Sequence, residues 1–179
     1  MVYNRQLYNG LENIRCGVFT LLTIENSKIM NELHLMLILH LLGAAIWVGG
    51  HIVLAVTVLP QVWKQRSTEL LFNFESKYER IGMPALLVML LTGMRMAYLY
   101  NVKIENWFSF SSPIENVIST KLCCLLIIFM FAASAQFRVL PKLRHNIKYL
   151  PLMTFHIIMV TLISITMLIL GSFIRYGGI

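Results

Sequence analysis

The stretch HLLGAAIWVGGHIVLAVTVLP, residues 40–60, combines the hydrophobicity of a membrane helix with two histidines and a tryptophan. It is long enough to cross a hydrocarbon core of about 30 Å, for which a helix needs about 20 residues. An ionisable side chain that faced lipid would be costly, so we expect His40 and His51 to face the interior of a helix bundle. The stretch therefore predicts a membrane helix that carries imidazoles into a protein core.

The rest of the chain has the composition of an integral membrane protein. Of its 179 residues, 58% are hydrophobic and 13% are charged, and the mean hydropathy is +0.71. Prolines fall at the ends of the hydrophobic runs or between them, where a helix tolerates them. We find no alternating pattern and no internal repeat, and we predict an all-α fold, an integral membrane four-helix bundle. The four hydrophobic runs are residues 33–59, 84–100, 117–140 and 151–174.

Basic residues concentrate in the loops after the first and third runs. The positive-inside rule places these two loops in the cytoplasm and both termini on the periplasmic side of a bacterial plasma (inner) membrane. Contact with anionic lipid explains the formal charge of +7, so we expect a lipid bilayer and no nucleic acid as partner. The basic residues of the two loops are Lys64, Arg66, Lys77, Arg80, Lys142, Arg144 and Lys148.

The N-terminal residues differ from the rest of the chain. Residues 1–29 are polar and irregular, with one short apolar run, GVFTLLTI. We expect them to form an extension that is disordered or lies as a helix along the membrane interface. Residues 30–179 then contain the four-span domain.

Helix geometry sorts the polar side chains of the runs into two layers. A helix turns about 100° and rises about 1.5 Å per residue, so His40 and His51 lie within about 20° of one face and about 16 Å apart in depth. Measured from the midpoints of the runs, His51 lies level with His156, on the cytoplasmic side. The second layer, on the periplasmic side, comprises His40, Met96, Lys121 and Cys124.

Haem b is one group that these layers could hold. Two imidazoles from different helices of a bundle suit its axial positions. His51 and His156 fit this geometry, and His40 fits it with Lys121 or Met96 on the opposite side. The candidate cofactor-binding residues are therefore His40, His51, His156 and Lys121.

Copper is the competing ligand. Copper(I) prefers thiolate and thioether donors together with imidazole, and the chain has eleven methionines and three cysteines. A third interpretation is purely structural, because a histidine inside a membrane can simply hydrogen-bond a neighbouring helix. The chain has no aspartate, and none of its glutamates lies well inside a run, so we do not expect carboxylate chemistry. The candidate metal ligands are His40, His51, His156, Met96 and Cys124.

Four short motifs stand out in this background: HLLGAAIWVGG from His40, YERIGMPALLVMLLTG from Tyr78, TKLCCLLIIF from Thr120 and FRVLPKL from Phe137. They resemble the helices of CopD-type copper-resistance membrane proteins and of the related HemJ-type protoporphyrinogen oxidases. The resemblance covers about residues 33–174. It implies a four-helix membrane bundle that handles copper or binds haem b.

The resemblance to the HemJ type implies His40 as a haem ligand and Lys121 as the lysine of the third helix. A second histidine of the HemJ third helix is missing from FAASAQF, residues 131–137, so the CopD type is favoured. We therefore expect a plasma-membrane protein of copper transport or resistance. The alternative is a haem-b redox protein. Candidate partners are a periplasmic copper-binding protein and further copies of the same chain in a homo-oligomer.

Overall fold

The computed structural model describes the backbone of residues 2–178 and the side chains of Phe19 and residues 21–178. It confirms the all-α fold, and the backbone of residues 2–178 includes no strand. The α-helices are α1 (Val2–Val53), α2 (Leu59–Gln65), α3 (Glu69–Leu99), α4 (Pro113–Ser134), α5 (Leu140–His145) and α6 (Leu150–Ile174). Short 3₁₀ helices lie at Ile104–Asn106 and Ile147–Tyr149.

Four helical stretches are long and apolar enough to cross a membrane, as predicted. We refer to them as span 1 (Leu21–Gln65), span 2 (Glu69–Leu99), span 3 (Pro113–His145) and span 4 (Ile147–Ile174). Their apolar outer surfaces are suited to contact with lipid. We call one end of the bundle the basic end; it carries the loops between spans 1 and 2 and between spans 3 and 4. The opposite end is the far end.

The helices extend beyond the hydrophobic runs. Pro84, expected to open the second run, lies inside α3, which begins at Glu69. The backbone of residues 2–29 forms the first part of α1. The location of this segment along a membrane interface, and its separation from a domain of residues 30–179, stay predictions.

Spans 1 and 3 each contain a π-helical turn directly before a Leu-Pro pair. The turns are Leu54–Val58 and Ala135–Val139, and in each the N–H of the following leucine bonds to a carbonyl five residues earlier. Proline has no N–H and its ring clashes with the carbonyl of the preceding turn. Because the wider turn accommodates the proline, helical structure continues past Pro60 and Pro141 rather than ending there.

These turns reveal two corresponding helix hairpins, which a search for a fixed repeat does not detect. Spans 1 and 2 pack together as the first hairpin, and spans 3 and 4 as the second. His40 lies twenty residues before Pro60, and Lys121 lies twenty residues before Pro141. The two polar side chains therefore occupy equivalent positions in the two hairpins.

The second helices of the hairpins correspond in the same way. Gly93 of α3 faces the imidazole of the first hairpin, and Gly171 of α6 faces the ammonium of the second. Fifteen residues before these glycines lie Tyr78 and His156. Tyr78 hydrogen-bonds to α1 and His156 to α4, so each polar ring bridges the two helices of its own hairpin.

Three apolar clusters are stacked through the bundle. The central one is formed by Trp47, Val48, Ile128 and Val160, and the one at the far end by Ala97, Val102 and Ile118. The largest cluster joins both hairpins at the basic end. Its members are Leu59, Val62, Leu71, Val139, Leu140, Leu143, Leu150, Met153 and Ile157.

The cluster at the basic end predicts a contrast between two leucines. Leu143 is 2% exposed inside it, whereas Leu126 is 55% exposed on the outer surface of span 3. Leu143→Ala leaves a cavity and should lower the free energy of unfolding by about 2–5 kcal/mol. Leu126→Ala should change it much less. Unfolding in detergent micelles measures both, and equal losses would contradict the packing described.

Candidate metal site between the helices

His40 is held by span 2 through its Nδ1 atom. This atom lies 3.0 Å from the hydroxyl oxygen of Thr92. The Thr92 hydroxyl has carbonyl acceptors at Val88, 2.6 Å away, and at Met89, 3.2 Å away, so we assign the imidazole as the donor in the shared bond. In this tautomer the proton is on Nδ1, and Nε2 presents a lone pair, as in histidines that bind metals.

The surroundings of His40 combine close backbone approach with a positive charge. A Cβ atom at Gly93 would lie 3.3 Å from the His40 ring, and a Cβ atom at Gly171 would lie 3.0 Å from Nζ of Lys121. The ammonium of Lys121 is close enough to act electrostatically on His40. Lys121 forms no ion pair with any carboxylate that the structure describes.

Met96 and Cys124 share this end of the bundle with His40. Met96 lies one turn beyond Thr92 on α3, and Cys124 lies one turn beyond Lys121 on α4. Both side chains are partly buried. Of the four side chains of the predicted far-end layer, His40 and Lys121 are joined by the electrostatic interaction, and the layer as a whole stays a prediction.

His51 is fixed within its own hairpin. Its Nδ1 donates to the carbonyl of Trp47 at 2.9 Å, and the two rings lie 4.5 Å apart. Tyr78 of span 2 donates to the same carbonyl at 2.8 Å and meets the His51 ring edge-on at 5.8 Å. The Nε2 atom has no hydrogen-bond partner among the described residues, so it too presents a lone pair.

His156 differs, because both of its ring nitrogens are engaged. Nδ1 donates a hydrogen bond to the carbonyl of Leu152 at 2.8 Å, and Nε2 accepts a hydrogen bond from the hydroxyl of Ser134 at 3.1 Å. The ring packs edge-on against Phe131 and Phe155. His156 thus makes the contacts of a residue that bridges spans 3 and 4.

His51 and His156 were predicted to face each other, but the structure gives no contact between their rings. Their rings lie against different residues of different hairpins, and no hydrogen bond or ring contact joins them in the described part of the chain. Side chains of residues 21–178 also include no group of three or more His, Cys, Asp or Glu suited to hold a metal. A metal at His40 or His51 would therefore need other donors.

Three groups near these histidines were not singled out from the sequence. Thr92 and Tyr78 fix the two imidazoles, but their role depends on the rotation of span 2, which its sequence does not reveal. Ser164 is 2% exposed, and its hydroxyl lacks a partner among the described residues. It lies one turn from Thr161, whose hydroxyl lies 3.4 Å from the carbonyl of His51. The core beside His51 is thus more polar than the runs indicate.

The position of Tyr78 predicts opposite effects at two adjacent glycines. A Cβ atom at Gly50 would overlap the Tyr78 ring, whereas one at Gly49 would meet nothing within 4 Å. Gly50→Ala should lower the free energy of unfolding by about 1–3 kcal/mol. Gly49→Ala should be neutral or stabilising by up to about 1 kcal/mol. Unfolding in detergent checks both, and equal stability would show that Tyr78 does not lie over Gly50.

Comparison with known proteins supplies the family. The family model of copper resistance protein D, CopD, matches residues 72–174, which is more than half of the chain. The match includes Thr92, Lys121 and His156 and begins after His40 and His51. No curated protein and no solved structure matches. With its four membrane-spanning helices, the chain belongs to the CopD family of copper-resistance membrane proteins.

Proposed function

We propose that this chain binds copper(I) at histidines inside its helix bundle and acts in copper transport or resistance at the plasma membrane. One observation carries the proposal. His40 and His51 both use Nδ1 as a hydrogen-bond donor to a neighbouring oxygen, at 3.0 and 2.9 Å. Each therefore keeps a lone pair on Nε2, the state in which imidazole binds a metal.

The donor chemistry of the core favours copper(I) over harder ions. Copper(I) prefers imidazole, thioether and thiolate, whereas magnesium and calcium need several oxygen ligands. The described part of the spans offers partly buried methionine and cysteine side chains at the same end of the bundle as His40, and the Glu32 carboxylate there is paired with Arg95. The family to which the chain belongs is named for copper resistance.

The two histidines also suit movement of an ion across the membrane. They lie on one face of α1, about 16 Å apart along its axis. Permeation requires sites at several depths that bind an ion weakly enough to release it. In this proposal the basic loops lie in the cytoplasm and both termini on the periplasmic side. Copper then meets His40 and His51 at different depths of one helix.

Copper(I) titration of the purified protein, in competition with a colorimetric chelator, tests the proposal. We expect the wild type to bind copper(I), and His40→Ala and His51→Ala each to lower its affinity at least tenfold. His145 is exposed at the end of α5, so His145→Ala is the matched control and should leave the affinity unchanged.

Two results would contradict copper binding at these histidines. One is a wild type that binds no copper(I), or variants at His40 and His51 that bind it as the wild type does. The other is a set of sharp haem-b bands in the reduced visible spectrum that disappears in His40→Ala. The second result would assign the protein to haem redox chemistry instead.

His156 should behave differently from the other two histidines. Removal of its ring leaves the Ser134 hydroxyl without its partner and opens a gap between Phe131 and Phe155. We expect His156→Ala to lower the free energy of unfolding by about 1–3 kcal/mol and to keep the copper(I) affinity. A variant of normal stability that had lost copper would show that His156 is a ligand.

A further inference from the structure

Histidine alone does not complete a metal site in this bundle. The side chains of residues 21–178 include no cluster of three His, Cys, Asp or Glu, so an ion at His40 needs ligands of another kind. Methionine is the obvious source, because its thioether is a soft donor and the side chain is flexible. The question is which methionines the fold places beside His40.

Two polar contacts fix the interface of α1 and α3 at the far end. Arg95 Nε donates to a carboxylate oxygen of Glu32 at 2.6 Å, and His40 bonds to Thr92 at 3.0 Å. Met36 lies one helical turn from Glu32 and one turn from His40, between the two contacts. Residues one turn apart share a helix face, so Met36 lies on the side of α1 that faces α3.

Burial supports this position for Met36. Its neighbours Leu35 and Leu37 are 52% and 41% exposed on the outer surface of span 1. Met36 itself is partly buried. The alternation along these three residues shows that Met36 points towards the bundle and not towards lipid.

Met96 occupies the corresponding segment of α3. It directly follows Arg95 and lies one turn beyond Thr92. Arg95 and Thr92 are the residues of α3 that hydrogen-bond to α1. Met96 is partly buried, whereas Tyr98, two residues later, is 68% exposed. The two contacts thus lie on either side of Met36 on α1, and Met96 follows them directly on α3, in the same segment of the interface as His40.

We propose that the thioethers of Met36 and Met96 complete, with Nε2 of His40, a three-coordinate site for copper(I). This inference rests on the proposed function, and it names the ligands that complete the copper(I) site at His40. One nitrogen and two sulfur donors select a soft ion. The same donor set favours copper(I) over zinc(II) or copper(II).

Leucine substitutions test the two thioethers, because leucine keeps the volume and apolar character of methionine and removes the sulfur. Met36→Leu and Met96→Leu should each weaken copper(I) binding at least tenfold in the chelator competition. The matched control is Met83→Leu, at a 53% exposed position on α3, which should stay within twofold of the wild type. Thermal unfolding of each variant establishes that it is folded.

The outcomes separate this inference from the proposed function. If Met36→Leu and Met96→Leu both bind copper(I) as the wild type does while His40→Ala does not, the thioethers are not ligands and only this inference fails. If the wild type binds no copper(I), the proposed function fails with it. A loss in Met36→Leu and in Met96→Leu that matches the loss in His40→Ala, with Met83→Leu unchanged and zinc(II) bound more weakly than copper(I) by the wild type, establishes the site.

Discussion

The structure depends on how polar side chains inside an apolar bundle satisfy their hydrogen bonds. A polar group without a partner is costly where no water reaches it, and the imidazole N–H groups of the three intramembrane histidines each have an oxygen acceptor within the protein. Thr92 and the Trp47 carbonyl accept the Nδ1 protons of His40 and His51. Ser134 and a carbonyl occupy both nitrogens of His156. The same requirement thus leaves His40 and His51 with a free lone pair on Nε2, whereas the Nε2 lone pair of His156 accepts a hydrogen bond from Ser134.

The correspondence between the two hairpins places an imidazole and an ammonium group together at the far end. His40 and Lys121 occupy equivalent positions, each opposite a glycine of the following helix. The first hairpin supplies a neutral donor and the second a positive charge. At the equivalent positions nearer the basic end, Tyr78 and His156 serve as bridges within their hairpins. The two hairpins therefore correspond in geometry and differ in the polar side chains at the equivalent positions.

Much of the fold was predictable, because hydrophobic length alone determines four spans in a chain of this composition. The helix boundaries were less predictable. Pro84 is accommodated inside α3, and helical structure continues through the π-helical turns past Pro60 and Pro141. The correspondence of the hairpins gives no fixed repeat in the sequence. Equivalent positions of the first helices are eighty-one residues apart, whereas those of the second helices are seventy-eight residues apart. At the site, periodicity predicted that His40 and His51 share a face. It could not predict their partners, because the rotation of one span against another is set by packing.

The most direct test of the account is X-ray absorption spectroscopy at the copper edge of the purified protein loaded with copper(I). The account predicts a three-coordinate ion with the multiple-scattering signal of imidazole and a sulfur shell at bonding distance. The imidazole signal should weaken in His40→Ala, and the sulfur shell should weaken in Met36→Leu. A spectrum with neither imidazole nor sulfur would contradict a copper site inside the bundle, and one unchanged in His40→Ala would contradict copper binding at His40.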